Sequence, residues 1–295
     1  MQTGASNSAA AVALFTKLID YAGLFPPAQL PMEEAIAQYT AERAGRYAWM
    51  LGRFIVQQSR IAELVHGLSS DQRFYVSVIL DRNVDGLSNL ARVRQNEPAL
   101  RVEALEAVLA PDRIDTFAAA LRSHALSEFP AYVEIVRGPD WERVVPQAMA
   151  AFSEAGLGAK IRCGGVHASA FPTPSEVATF IYWACRYNVP FKATAGLHHP
   201  IRHFDASVGT HMHGFLNVLA AAALARAGMD ANELVEPLSC EEPARFGVDD
   251  AGLRFGDCCV GVAELESTRR EAFVGYGSCS FTEPVDDLRA MRVLS

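Results

Sequence analysis

The chain has very little lysine. Of 26 basic residues only Lys17, Lys160 and Lys192 are lysines, and the rest are arginines. Several common signatures are missing as well. No apolar run approaches the ~18 residues a membrane span needs. The short apolar stretch from Ala9 to Phe15 has no basic region before it, so it reads as a lead-in helix and not a signal peptide. The six cysteines include no CxxC, and only Cys258 and Cys259 adjoin. That argues against a zinc knuckle or a disulfide frame and for reduced thiols in a cytoplasm. There is no GxGxxG, no GxxxxGK[ST], no GxSxG elbow and no HExxH. A net charge of −8 makes a nucleic-acid surface unexpected. Neither nucleic acid nor membrane is expected as a partner; a small-molecule substrate is, and a homo-oligomer stays open.

The 295 residues that are present, half of them apolar, give an ordinary globular balance with ample core. Strand-like runs recur at Ile19–Phe25, Ala48–Val56, Phe74–Asp81, Val102–Leu109, Ala131–Val136, Ala159–Gly164, Pro190–Leu197 and Ala272–Ser280. The first seven start roughly 30 residues apart, the length of one βα unit. Helical patterns lie between them. Thr173-Pro174-Ser175-Glu176 is a capping box with proline in the first turn, and Gly156 closes the helix before Lys160. Alternating strands and helices imply a parallel sheet, and eight strands imply closure into an α/β fold of the (β/α)8 TIM-barrel type. An open doubly wound sheet is the alternative. No low-complexity linker divides the chain, so residues 1–295 are expected to form a single domain. The surplus, roughly residues 200–270, lies between strands seven and eight. It holds a helix from His213 to Ala227 and a glycine-bearing polar stretch, and is expected to be an elaborated loop or lid.

Strand alternation then sorts the side chains. On strand six Ala159, Ile161 and Cys163 share one face; Lys160 and Arg162 share the other. On strand seven Phe191, Ala193 and Ala195 oppose Lys192 and Thr194. The apolar sets face the helices, so both lysines point into the barrel. The same logic turns Glu134 and Arg53 inward. Strand four is ambiguous, because Glu103 and Glu106 have opposite parity. Lysine can lose its proton and form an imine with a carbonyl, whereas arginine cannot. A second buried cation nearby lowers a lysine's proton affinity. Lys160, Lys192 and Glu134 are therefore candidate catalytic residues, with Arg53 and Arg162 as anion binders. The competing interpretation is a salt-bridged layer in which Glu134, Glu106 and Asp81 neutralise Lys160, Arg162 and Lys192.

At these residues the sequence resembles the deoxyribose-phosphate aldolases. Lys160-Ile-Arg-Cys-Gly-Gly and Lys192-Ala-Thr-Ala-Gly-Leu are similar to that family's KTSTG on strand six and K-x-x-G-G on strand seven. Gly275-Tyr-Gly-Ser278-Cys-Ser280 is similar to its FGASS, Val133-Glu134-Ile135 to its VIET segment, and Asp20 stands where the family often has an aspartate. The resemblance implies an imine at Lys160, a supporting role for Lys192, and an acidic relay at Glu106. It also implies an anion or phosphate cradle from Gly196, Gly277, Ser278 and Ser280, a usual place for one in a barrel. Ile161-Arg162-Cys163 replaces the family's small hydroxyls, and His198-His199-Pro200 replaces the arginine that should follow strand seven. The match supports a lysine-dependent barrel more than a deoxyribose phosphate substrate. A lyase or aldolase acting on a small anionic carbonyl compound, without a cofactor, is the leading expectation.

Six of the eight histidines lie between His167 and His213. His198 and His199 close strand seven and join the candidate substrate-binding residues. Histidine is the commonest transition-metal ligand. The alternative function is thus a metal-dependent hydrolase or lyase using His198, His199, His203, His211 and His213, with His199, His211 and His213 holding a divalent metal. A non-catalytic barrel that binds a small anion is the third.

Overall fold

The computed structural model describes residues 6–81 and 86–295. Eight parallel strands form a closed barrel: β1 (Ile19–Tyr21), β2 (Leu51–Gln57), β3 (Phe74–Ile79), β4 (Leu100–Val108), β5 (Ala131–Glu134), β6 (Gly158–Arg162), β7 (Phe191–Thr194) and β13 (Phe273–Ser278). Each barrel strand pairs with its sequence neighbour, and β1 pairs with β13 to close the ring. The (β/α)8 architecture is therefore the fold, and the open sheet is not. Preceding the barrel is α1 (Ala9–Phe15). The connecting helices are α2 (Met32–Arg43), α3 (Ile61–Gly67), α4 (Leu87–Asn96), α5 (Ile114–Ser123), α6 (Trp141–Ala155) and α7 (Pro174–Arg186). α11 (Thr282–Ala290) follows β13.

Local chemistry fixes the helix ends. α6 stops where Gly156 turns left-handed at φ 69° and its N–H returns to the Phe152 carbonyl. α7 starts on a complete capping box, Thr173 with Glu176. The apolar core lies between barrel and helices, as in the cluster of Tyr39, Phe54 and Phe74, whose rings meet at 4.8–5.4 Å. Ala159, Ile161 and Ala193 are buried on that side, which leaves the barrel interior to the charged residues.

The ambiguity on strand four has a structural answer. Val76 pairs with Val102, but Ser77 pairs with Ala104, so Glu103 is an extra residue in β4. This bulge resets the alternation. Glu103 reaches Arg53 and Glu106 reaches Lys160, so both acids belong to one interior network.

The segment between β7 and β13 carries secondary structure of its own. It begins with a hairpin, β8 (His203–Asp205) and β9 (Thr210–Met212), followed by α8 (Phe215–Arg226) and α9 (Val235–Ser239). Then come an antiparallel sheet of β10 (Phe246–Val248), β11 (Gly252–Phe255) and β12 (Cys258–Gly261), and α10 (Val262–Glu271). α8 is buried on all sides because α7, α9, α10 and β11 surround it, and Phe215 stacks on Tyr276 at 5.2 Å. The small sheet packs on α1, α8 and α10, so it thickens the helical layer. Among the described residues no helix is long and apolar enough to cross a membrane.

Candidate active site

Lys160 on β6 and Lys192 on β7 are register partners, and Glu134 on β5 is level with Lys160. Their side chains meet in a sealed layer. Lys192 Nζ donates to Asp20 Oδ2 and Glu106 Oε1, both at 2.6 Å, and lies 5.7 Å from the centre of the Tyr132 ring. Lys160 Nζ donates to Glu106 Oε2 at 3.1 Å and pairs with Glu134 Oε2 at 3.2 Å. Ser77 donates to Glu106 Oε1 at 2.8 Å. Asp20, Lys192 and Glu106 are each at most 2% exposed, Lys160 3%.

Charge pairing decides the protonation states. Burial alone would raise the Glu106 pKa, but Lys192 and Lys160 outweigh it and hold the carboxyl well below the usual carboxylate range. Burial alone would lower the Lys192 pKa, but Asp20 and Glu106 outweigh it and push the ammonium above the usual lysine range. The expected depression by a second cation is therefore overturned for Lys192, because carboxylates stand closest to it. The neutralising third acid is Asp20; Asp81 instead accepts from Ser59 at the surface.

The layer is graded along the barrel axis. Arg162 pairs with Glu134 at 3.2 Å and is half-exposed at the C-terminal end of β6, where barrel sites open. Arg53 lies in the N-terminal half of β2, held by Asp20 at 3.6 Å and Glu103 at 3.3 Å. The structure thus brings Arg162 to the mouth and Arg53 to the opposite side of the lysines. A cleft of ≈ 350 Å³ lies in the helical layer beside the ends of β4 and β5, lined by Val108, Leu109, Ile114, Ile135, Ala148 and Phe152. Of the charged layer, only Glu134 reaches it.

The expected anion cradle is dispersed over several local roles. Ala195 and Gly196 both turn left-handed, and Gly196 presses on Cys163 and Gly164. Gly277 faces Ile55 in the barrel interior. Ser278 donates to the Ser280 carbonyl at 2.6 Å, and Ser280 Oγ accepts from Glu283 N at 3.3 Å, which braces the start of α11.

Among the described residues, His199, His211 and His213, the expected metal set, do not converge on one point. His199 Nδ1 lies 2.5 Å from Asp287 and His211 Nε2 3.2 Å from Glu241. His203 meets His199 edge-on at 4.6 Å. His213 is fully buried; its Nε2–H donates to the Pro172 carbonyl at 2.7 Å, and burial pulls its pKa down to about 4. Among the described residues no three of His, Cys, Asp and Glu are arranged to hold a metal ion.

Sequence reasoning placed Asp20 but left it out of the site, and it missed Ser77, Tyr132 and Glu283. Asp20, a charged residue between Ile19 and Tyr21, carried the signal. Nothing local marked the other three.

No family model matches the chain, and no curated protein matches it. Among solved structures it is similar to the UMP synthase of Leishmania donovani, at 12% identity and a TM-score of 0.42. That match covers 80% of this chain and 56% of the other, so the chain spans little more than half of that protein's length. No residue role follows from it.

Proposed function

We propose that the barrel is an enzyme that acts on a small anionic carbonyl compound through an imine at Lys160, as a lyase of the aldolase kind. The observation that carries this reading is the position of Lys160. Lys160 is held between Glu106 and Glu134, and Glu134 also pairs with the half-exposed Arg162 at the mouth. Lys192, its register partner, is held by Asp20 and Glu106 and stays an ammonium.

In this mechanism Lys160 gives a proton to Glu134, and the neutral amine adds to the carbonyl carbon. Glu134 carries that proton and then a second one from the nitrogen to the carbinolamine oxygen, which leaves as water, so ammonium and carbonyl become a protonated imine plus water. As the next carbon–carbon bond breaks, its electron pair moves to the imine and leaves an enamine, while Glu134 takes the proton of the hydroxyl on the departing carbon, which leaves as an aldehyde. Glu134 returns that proton to the enamine carbon, and water hydrolyses the imine to free Lys160. Arg162 holds the substrate's anionic group at the mouth. Lys192 and Glu106 supply fixed charge beside the reacting atoms. The chemistry needs no cofactor.

The test is borohydride trapping with a panel of small aldehydes and keto acids, mapped by mass spectrometry. A reduced adduct is expected on Lys160, lost in Lys160→Arg. Arg162→Ala should weaken trapping of keto acids and leave neutral aldehydes unaffected. Adducts at Lys160 no more abundant than at exposed Lys17 would overturn the reading and leave a structural ion layer.

A further inference from the structure

The rim of the same barrel end carries a constellation that the lysine chemistry does not use. Cys279 directly follows the last residue of β13, His198 lies in the loop between β7 and β8, and Glu283 lies in the first turn of α11. Cys279 Sγ is 3.9 Å from His198 Nε2, and His198 Nδ1 is 3.1 Å from Glu283 Oε2. The contacts join residues 81 and 85 positions apart in sequence. A thiol, an imidazole at its sulfur and a carboxylate on the far ring nitrogen are the parts of an activated nucleophile.

We propose that Cys279, His198 and Glu283 form a second reactive centre, which transfers the acyl group of a small ester or thioester. Cys279 is the nucleophile and His198 its base. Glu283 is a positioning residue: it fixes the proton on Nδ1 and leaves Nε2 free to accept from sulfur.

The surroundings agree with that division of labour. Burial raises the Cys279 pKa, with Glu283 adding to it, while backbone hydrogen bonding from Ala28 and Cys279 pulls the other way. The resting group is a thiol, so attack requires a base, and His198 is in place. The other cysteines lack this. Burial pushes Cys163 and Cys185 up to about 12, and Cys240 faces the Glu242 carbonyl at 3.7 Å. Among the described residues Cys279 alone has a histidine partner. The start of α11 beside it adds the positive end of a helix dipole, which favours a thiolate and a developing oxyanion.

The step balances without an external oxidant or reductant. His198 Nε2 takes the thiol proton as Sγ bonds to the acyl carbon. The bond from that carbon to the leaving oxygen or sulfur breaks, and the leaving group takes the proton from His198. Water then gives a proton to His198 while its oxygen bonds to the acyl carbon; the carbon–Sγ bond breaks and the thiol recovers its proton.

p-Nitrophenyl acetate is the probe, with acetylation mapped by peptide mass spectrometry and exposed Cys259 as the internal reference. Acetyl should accumulate on Cys279 well ahead of Cys259, with a burst of nitrophenolate that Cys279→Ser abolishes. His198→Gln should slow acylation by about 10²-fold. For Glu283, the ¹⁵N spectrum of His198 should show one tautomer in the native protein and a mixture in Glu283→Gln, together with slower acylation. Equal labelling of Cys279 and Cys259 in the native protein would overturn the proposal and needs no variant to fold. So would an unchanged acylation rate in a folded His198→Gln protein.

Discussion

Lys160 and Lys192 are register partners on neighbouring strands, and a single carboxylate joins them. Glu106 presents Oε2 to Lys160 at 3.1 Å and Oε1 to Lys192 at 2.6 Å. Two buried ammoniums side by side would repel strongly, so this acid is the keystone of the layer.

Glu106→Gln keeps the shape and removes the charge. It leaves both lysines short of a counter-ion in a dry interior, and is expected to destabilise the protein by about 3–5 kcal/mol. Urea unfolding measures it. A loss below about 1 kcal/mol would mean that Asp20 and Glu134 neutralise both lysines alone.

His213 predicts an acid-sensitive step. Its Nδ1 is buried without a partner, and its pKa in the fold is about 4 against 6.5 for the free group. The unfolded chain therefore binds the proton first. This contribution is complete above pH 6.5 and is lost as pH falls towards 4. At about 1.4 kcal/mol per pKa unit, the loss is about 3 kcal/mol at the acid end. The depressed Glu106 carboxyl adds its own loss only below the ordinary glutamate range, so the two windows separate. Unfolding curves across that interval should be flatter in His213→Gln. The same slope in both proteins would refute the assignment.

Gly196 and Gly209 make a matched pair. Both have φ near +70°, but a Cβ at Gly196 would lie 3.0 Å from the Cys163 carbonyl oxygen, whereas one at Gly209 meets nothing within 4 Å. Alanine at Gly209 should cost about 1–2 kcal/mol, the left-handed penalty alone. Gly196→Ala should cost more, because the β6 and β7 loops must separate. Equal thermal shifts would show that the loops yield freely.

The barrel was legible because its signals are periodic: the recurrence of βα units and the alternation on β6 and β7. Helix ends at Thr173 and Gly156 were legible because a cap is local chemistry. The site was legible where one strand holds the residue, as at Lys160, Lys192 and Glu134. It was obscured wherever geometry depends on the third dimension. Glu103 and Glu106 could not be reconciled without the bulge. The histidines looked like one cluster because they are close in sequence, yet acids from Glu241 to Asp287 draw them apart. Conversely, Cys279 and His198 are far apart in sequence and meet only because β7 and β13 adjoin. The sheet of β10, β11 and β12 has strands of three or four residues, too short for an alternating pattern to register.

The extra residue in β4 bears on how such an interior arises. Strict alternation admits Glu103 or Glu106 to the barrel, never both, whatever amino acids occupy the strand. The bulge is what lets two acids three residues apart share one interior, and flattening it would turn one of them towards the helical layer.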